Sequence, residues 1–355
     1  MSERFAVVMA GGSGTRFWPM SRTNLPKQLL PLLSSRSMIR ETVERLFPLF
    51  DAERVFVVCG RAQKEAIERE LEILEPEHVI DEPVARDTAG AVGLAATFLE
   101  WRSPGCTFAA LPADAYIGDV PKFQEALRAA FAAAAEGAYV TFGVKPTRPA
   151  TGYGYLHRGE KIGQAFTVRR FLEKPDAGRA REFAASGEHF WNSGIFVWRA
   201  DAVLEGFKKH LPEHHARLMG IRDALGTSRL PEVLRREFEA MPRISIDHGL
   251  MEKAGNVLMI EAPFVWDDVG SWSAVADRRP RDGEGNAVEA LSARVETKNS
   301  IIVSSDDKHL VATLGIEGLV VVHTKDATLI CPRDRADDLK KLVDKIKSDG
   351  HTGHL

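Results

Sequence analysis

The sequence predicts an α/β protein with a mainly parallel sheet in a large first domain, residues 1–280, and a small β-rich second domain, residues 284–355. Three observations carry that expectation. Apolar runs rich in β-branched and aromatic residues lie at 5–10, 54–59, 106–111, 139–144 and 194–198 and do not alternate strictly, which is how strands buried on both faces read. Longer stretches with helical spacing separate them, the order of successive βα units. From about Glu284 the runs shorten and the connections tighten.

Taken in order, the run 5–10 enters Gly11-Gly12-Ser13-Gly14-Thr15-Arg16. A helix is expected over 89–101, and another over 121–135, where Phe123, Leu127, Phe131 and Ala134 share one face. The polar Arg278-Arg279-Pro280-Arg281-Asp282-Gly283-Glu284-Gly285 stretch is the boundary. Beyond it, strands are expected at 300–304, 309–314, 319–323 and 328–331, with turns at Ser305-Asp306-Asp307 and Gly315-Ile316-Glu317-Gly318. A last helix is expected over 334–347 with the stripe Leu339, Leu342, Val343 and Ile346.

Composition narrows the classes. Lys plus Arg number 47 against 50 for Asp plus Glu, net charge −3, which argues against a basic nucleic-acid face. No apolar run approaches the roughly 18 residues of a membrane helix, and the N-terminus lacks the apolar core of a signal peptide. Three distant cysteines, Cys59, Cys106 and Cys331, build neither a disulfide framework nor a zinc site. The expectation is a cytoplasmic protein with no nucleic-acid or membrane partner.

The chemistry begins at the glycines. Glycines directly after a strand let consecutive N–H groups cradle phosphate oxygens, and Arg16 and Lys27 add positive charge close by. The spacing fits neither Gly-x-Gly-x-x-Gly nor the Lys-Ser/Thr-closed phosphate loop. His210, His214 and His215 have helical spacing, but Pro212 interrupts them and no Glu is placed for a zinc site.

Residues 9–30, Met-Ala-Gly-Gly-Ser-Gly-Thr-Arg-Phe-Trp-Pro-Met-Ser-Arg-Thr-Asn-Leu-Pro-Lys-Gln-Leu-Leu, resemble the signature of sugar-phosphate nucleotidyltransferases, in the form found in mannose-1-phosphate guanylyltransferases. The resemblance continues through Glu82-Pro83, Arg86-Asp87-Thr88-Ala89, Leu111-Pro112-Ala113-Asp114, the Gly143–Tyr155 run and Phe171-Leu172-Glu173-Lys174-Pro175. It ends with Trp191-Asn192-Ser193-Gly194, Ser245-Ile246-Asp247, Met251-Glu252-Lys253-Ala254 and Trp266-Asp267-Asp268-Val269-Gly270.

What the resemblance implies is a Rossmann-like nucleotidyltransferase domain followed by a β-helix-like module. The reaction it implies joins GTP and mannose 1-phosphate into GDP-mannose and pyrophosphate. Arg16 and Lys27 would be the catalytic cations. Ala10, Gly11, Gly12, Gly14, Thr15, Glu82, Arg86, Asp87, Thr88 and Ala89 would contact the nucleotide, and Tyr153, Gly154, Glu173, Lys174 and Asn192 the sugar phosphate. Asp114 and Asp268 would bind Mg²⁺ or another divalent cation, with Asp267 the alternative to Asp268. The bland alternatives are an N-cap role for Asp114 and a surface pair for Glu173 and Lys174.

Three positions depart from the family pattern, one of them Gly90, which stands where Pro is usual. Asp87 stands where Asn is usual, and its charge suggests acceptance from the guanine N1–H and 2-amino groups. Ala115 stands where many members carry His. The rival readings are another nucleotide and hexose 1-phosphate pair, and a non-catalytic regulator of the same fold. A fused isomerase domain would need roughly 100 or more further residues. Homodimerisation through the β-rich module is left open.

Overall fold

The computed structural model describes residues 2–12 and 15–355, and these form two compact units. The first comprises the described part of Met1–Gly11 with Thr42–Ala113 and Ile117–Trp266; the second comprises Gly12–Glu41, Asp114–Tyr116 and Asp267–Leu355. The units interleave in sequence, where composition suggested a single cut at 280–284. The cause is apolar packing: Phe17, Trp18, Leu30, Leu32 and Met38 bury with Trp272, Val275, Ile301, Val320 and Leu339.

The first unit is built on a nine-stranded sheet of described residues. The strands are β1 (Arg4–Ala10), β2 (Val55–Gly60), β3 (Val79–Glu82), β4 (Thr107–Pro112), β5 (Tyr139–Val144), β6 (Tyr155–Ile162), β7 (Ala165–Leu172), β8 (His189–Arg199) and β9 (Val257–Glu261). Their order is β3-β2-β1-β4-β8-β5-β9-β7-β6. β7 and β8 run against the other strands, so the sheet is mainly parallel. Val7 of β1 lies level with Phe56 and Ala110 on its two neighbours, and all three are buried, as strands covered on both faces require.

Helix α1 (Asp87–Arg102) replaces the expected 89–101, and α2 (Val120–Ala134) the expected 121–135. α1 is buried nearly all round from Ala89 to Thr97 because its residues are small. A Cβ on Gly93 would come within 2.6 Å of Leu218, so the glycine sets how closely the next helical layer approaches. The hairpin β6–β7 went unread because its strands carry many polar and basic side chains, His157, Arg158, Glu160, Lys161, Arg169 and Arg170 among them, which break the apolar run. Among the described residues, no helix is long and apolar enough to cross a membrane.

In the second unit, strands Ala287–Glu289, Ile301–Ser304 and Leu319–His323 stack in parallel, and Thr328–Pro332 closes the sheet antiparallel. Ser292–Val295 and Val311–Leu314 form a second parallel pair. Successive coils therefore lie one on another, as the β-helix-like expectation required. Buried Asn286 pins one coil, donating to the Thr297 carbonyl at 2.7 Å and accepting from Ser300 N–H at 2.9 Å. The expected last helix is a 3₁₀ segment, Arg333–Asp338, followed by α-helix Leu339–Ser348.

Candidate active site

The second unit holds Lys27, expected to be catalytic, and both expected metal ligands, Asp114 and Asp268. Pro26 leads into a single 3₁₀ turn, Lys27–Leu29, that buries Lys27 to 5% exposure. Its Nζ donates to the Asp114 carbonyl at 2.8 Å, the Asp114 Oδ2 at 2.9 Å and the Asp268 carbonyl at 2.5 Å. The Phe17 ring lies beneath the ammonium at 5.8 Å. One buried cation thus gathers Asp114 and Asp268. Asp114 is not a helix cap: α2 is capped by Asp119, whose carboxylate accepts from Lys122 N–H.

Asp267 is committed elsewhere, accepting from Val269 N–H at 2.8 Å and pairing with Arg278 at 2.9 Å. That bond folds the turn so that Val269 adopts a left-handed φ of +47° and Gly270 faces the Asp268 carboxylate. A Cβ on Gly270 would lie 2.9 Å from Asp268 Oδ2 and 3.1 Å from Arg16 Nη1. The missing side chain lets Arg16 and Asp268 share that space. The two carboxylates are hard oxygen donors of the kind that holds Mg²⁺ when substrate phosphates and water complete the shell. Among the described residues, no group of three His, Cys, Asp or Glu side chains is arranged for a metal.

Of the loop residues, Ala10 ends β1 and is buried. Gly11 and Gly12 are exposed; among the described residues other than their chain neighbours, no atom lies within 4 Å of where a Cβ would stand on either, and Gly12 has a φ of +105°. The backbone there is open to a ligand. Gly14 lies outside the described residues, as does the side chain of Thr15, which begins the turn Thr15–Phe17.

In the first unit, the end of β3 and the start of α1 place Glu82 beside Asp87. Glu82 is 7% exposed, and its Oε1 is buried without a hydrogen-bond partner among the described residues. Burial, with the Asp87 charge adding to it, pushes the Glu82 carboxyl up to about 8. Asp87 has a φ of +65°; its Oδ1 accepts from Thr88 N–H at 2.8 Å and its Oδ2 lies 3.9 Å from Arg243. Thr88 Oγ1 accepts from Ile246 N–H at 2.8 Å, and Ala89 N–H donates to the Ile244 carbonyl. Arg86 donates to the Phe238 and Glu239 carbonyls, which makes it a tether to the C-terminal end of helix Leu230–Ala240.

The sugar-side residues converge on Gly154. A Cβ there would lie 2.5 Å from Glu173 Oε2 and 3.3 Å from the Asn192 Cβ. Tyr153 closes the turn by accepting from Lys174 N–H, while Asn192 N–H donates to the Gly154 carbonyl at 2.8 Å. Glu173 is held at its N–H by Glu252 and pairs with exposed Lys174 at 3.2 Å. Lys174 has a φ of +46°, a conformation seldom adopted by residues with side chains. The Asn192 amide is fixed: Oδ1 accepts from Thr141 Oγ1 and Nδ2 donates to Asp247 at 3.1 Å. Asp247 opens a one-turn π-helix, Asp247–Met251, and burial beside Glu173 pushes its carboxyl up to about 7.

Residue-by-residue reading had assigned no role to Asp247, Glu252 or Gly270. Asp247 and Glu252 act on Asn192 and the Glu173 N–H, and the lack of a side chain at Gly270 leaves room beside Asp268 and Arg16; the first two contacts span large sequence separations and leave no local pattern. Ser245-Ile246-Asp247 and Met251-Glu252 did stand in the motif series, so a signal was there to be followed.

A mainly parallel sheet whose first strand ends in a glycine turn is the fold expected of a nucleotidyltransferase. Residues 5–284 match the family model described as nucleotidyl transferase, and residues 292–346 match the MannoseP isomerase/GMP-like beta-helix domain. The xanthan biosynthesis protein XanB of Xanthomonas campestris is 39% identical over 359 residues, 99% of this chain and 75% of that protein. The mannose-1-phosphate guanylyltransferase of Escherichia coli K12 is 38% identical over 366 residues, again 99% and 75%. A crystal structure from Thermus thermophilus, described as a mannose-1-phosphate geranyltransferase, superposes with a TM-score of 0.87 at 36% identity, covering 97% of this chain and 99% of that one. The chain belongs to the mannose-1-phosphate guanylyltransferase family, a group of nucleotidyltransferase enzymes.

Proposed function

We propose that this enzyme transfers GMP from GTP to α-D-mannose 1-phosphate, forming GDP-mannose and pyrophosphate. The observation that carries the choice of base is Glu82, a buried carboxyl whose Oε1 has no protein partner among the described residues. Guanine presents two adjacent donors, N1–H and the 2-amino group, to a carboxylate; adenine does not. Asp87, whose Oδ1 accepts from Thr88 N–H, then acts on the base through its charge on Glu82.

Mannose 1-phosphate is its own nucleophile, because a phosphate monoester has a second pKa of about 6 and is mostly dianionic at neutral pH. Its phosphate oxygen attacks the α-phosphorus of GTP, the bond to the β-phosphate oxygen breaks, and pyrophosphate leaves with that electron pair. The protein's task is to orient two polyanions and neutralise charge as it shifts. Gly11, Gly12 and Gly14, with Thr15, offer backbone N–H groups to the triphosphate. Arg16 and Lys27 balance the charge moving onto pyrophosphate. Glu173 and Asn192 hold sugar hydroxyls, Gly154 leaves room for the Glu173 carboxylate, and Lys174 meets the sugar phosphate. Asp114 and Asp268 would hold Mg²⁺ or a similar cation, which supplies further neutralisation of the triphosphate when bound.

The test is pyrophosphate release with Mg²⁺ for GTP, ATP and UTP, each against mannose, glucose and N-acetylglucosamine 1-phosphates. Turnover concentrated on GTP with mannose 1-phosphate and abolished by EDTA is expected. A maximum for another pair would move the specificity, and no turnover from protein that still binds nucleotide would make it a regulator.

A further inference from the structure

An ammonium group has three N–H bonds and accepts none. At Lys27 all three are matched, by the Asp114 carbonyl, the Asp114 carboxylate and the Asp268 carbonyl at 2.8, 2.9 and 2.5 Å. The side chain is buried against Phe17. Lys27 can therefore reach a phosphate oxygen only by releasing one of these partners. The cation assigned to the phosphates is held on the two residues assigned to the divalent ion.

We propose that Lys27 is a resident counter-ion of the two-aspartate site and exchanges with the incoming divalent cation, which frees its ammonium for the substrate phosphates. Lys27 and a dication both seek the Asp114 carboxylate, and positive charges crowded on one carboxylate repel at short range. The exchange makes the lysine available when a metal-bound triphosphate arrives, and keeps Asp114 and Asp268 gathered before then. The inference rests on the assignment of Asp114 and Asp268 as the cation ligands.

The experiment is direct Mn²⁺ binding to the full chain without nucleotide, read from the paramagnetic resonance signal of free Mn²⁺. Lys27→Met is expected to bind Mn²⁺ at least tenfold more tightly than the wild type, and Asp114→Asn to lose the site. Equal or weaker binding by Lys27→Met, with the site lost in Asp114→Asn, overturns the exchange and spares the ligand assignment. Undiminished binding in Asp114→Asn overturns both. Should Lys27→Met fail to fold, the wild type decides: acylation of Lys27 by an N-hydroxysuccinimide ester, mapped by mass spectrometry, should rise severalfold as Mn²⁺ saturates. Unchanged or reduced acylation overturns the proposal.

Discussion

Replacing Glu82 by Gln keeps shape and volume and removes the ability to become a carboxylate. In the wild type, a carboxylate would accept both guanine donors in charge-assisted bonds, each worth about 1.5–3 kcal/mol. Gln keeps one acceptor and turns a donor toward the second guanine donor, so at least one such bond is lost. That corresponds to roughly 10- to 100-fold in kcat/KM for GTP, with ATP little changed. The pH dependence adds an independent reading. The Glu82 carboxyl sits at about 8 in the folded protein against an ordinary 4.5, so between those values the native state binds more protons than the unfolded one. Its contribution to stability is full below 4.5 and is lost as pH rises through 8, by an amount of order a few kcal/mol. Glu82→Gln lacks that loss, and its melting temperature should fall less steeply than the wild type's between about pH 4.5 and 8. Ionisation is what guanine needs, so wild-type kcat/KM for GTP relative to ATP should climb through about pH 8 and stay flat in the variant. Pyrophosphate release at saturating mannose 1-phosphate measures both ratios. A variant that loses GTP and ATP turnover equally, or keeps the wild-type preference at every pH, would refute the reasoning.

Other perturbations read the remaining groups. Gly154→Ala places a methyl 2.5 Å from Glu173 Oε2, and the displaced carboxylate should raise KM for mannose 1-phosphate by roughly 10- to 100-fold with KM for GTP nearly unchanged, since ångström misplacements carry that penalty. Gly270→Ala wedges Arg16 from Asp268 and should lower kcat at least about tenfold, with sugar-phosphate KM spared in steady-state assays. Asp247→Ala frees the Asn192 amide that it now fixes at 3.1 Å. The expected result is about a tenfold rise in mannose 1-phosphate KM, whereas Asp247→Asn, which still offers an acceptor, should retain most of the wild-type value.

Legibility in the sequence followed physical locality. β1, β5 and the strand Leu319–His323 were legible because unbroken β-branched and aromatic runs have few other uses. α2 was legible through Phe123, Leu127 and Phe131 on one face. β6 and β7 were not, since charged residues such as Glu160, Lys161, Arg169 and Arg170 interrupt their apolar runs, and β3 has four residues, two of them acidic. The glycine turn and the lysine were visible as local chemistry. What stayed hidden was how Gly12–Glu41 packs with the C-terminal module, which depends on Phe17, Trp18 and Leu30 meeting Trp272 and Ile301 from far along the chain. Gly270 is hidden for the same reason, because its importance lies in side chains that approach it.

The acidic character of the first unit's site poses a problem that the burial of its carboxyls answers. Glu82, Asp87, Glu173 and Asp247 act on one another's charge, and four carboxylates would repel the phosphorylated substrates proposed for them. Burial raises Glu82 to about 8 and Asp247 to about 7, so near neutral pH both carry protons for much of the time and the set is less negative than its composition implies. Below about pH 8, Glu82 would then ionise when guanine's donors arrive to stabilise the charge. The desolvation that weakens the folded protein at high pH is the same effect that makes a wrong base expensive to accept: a ligand without two facing donors leaves the carboxyl protonated or its charge unpaired. Selectivity by this route requires that Glu82 stay buried, as its 7% exposure has it.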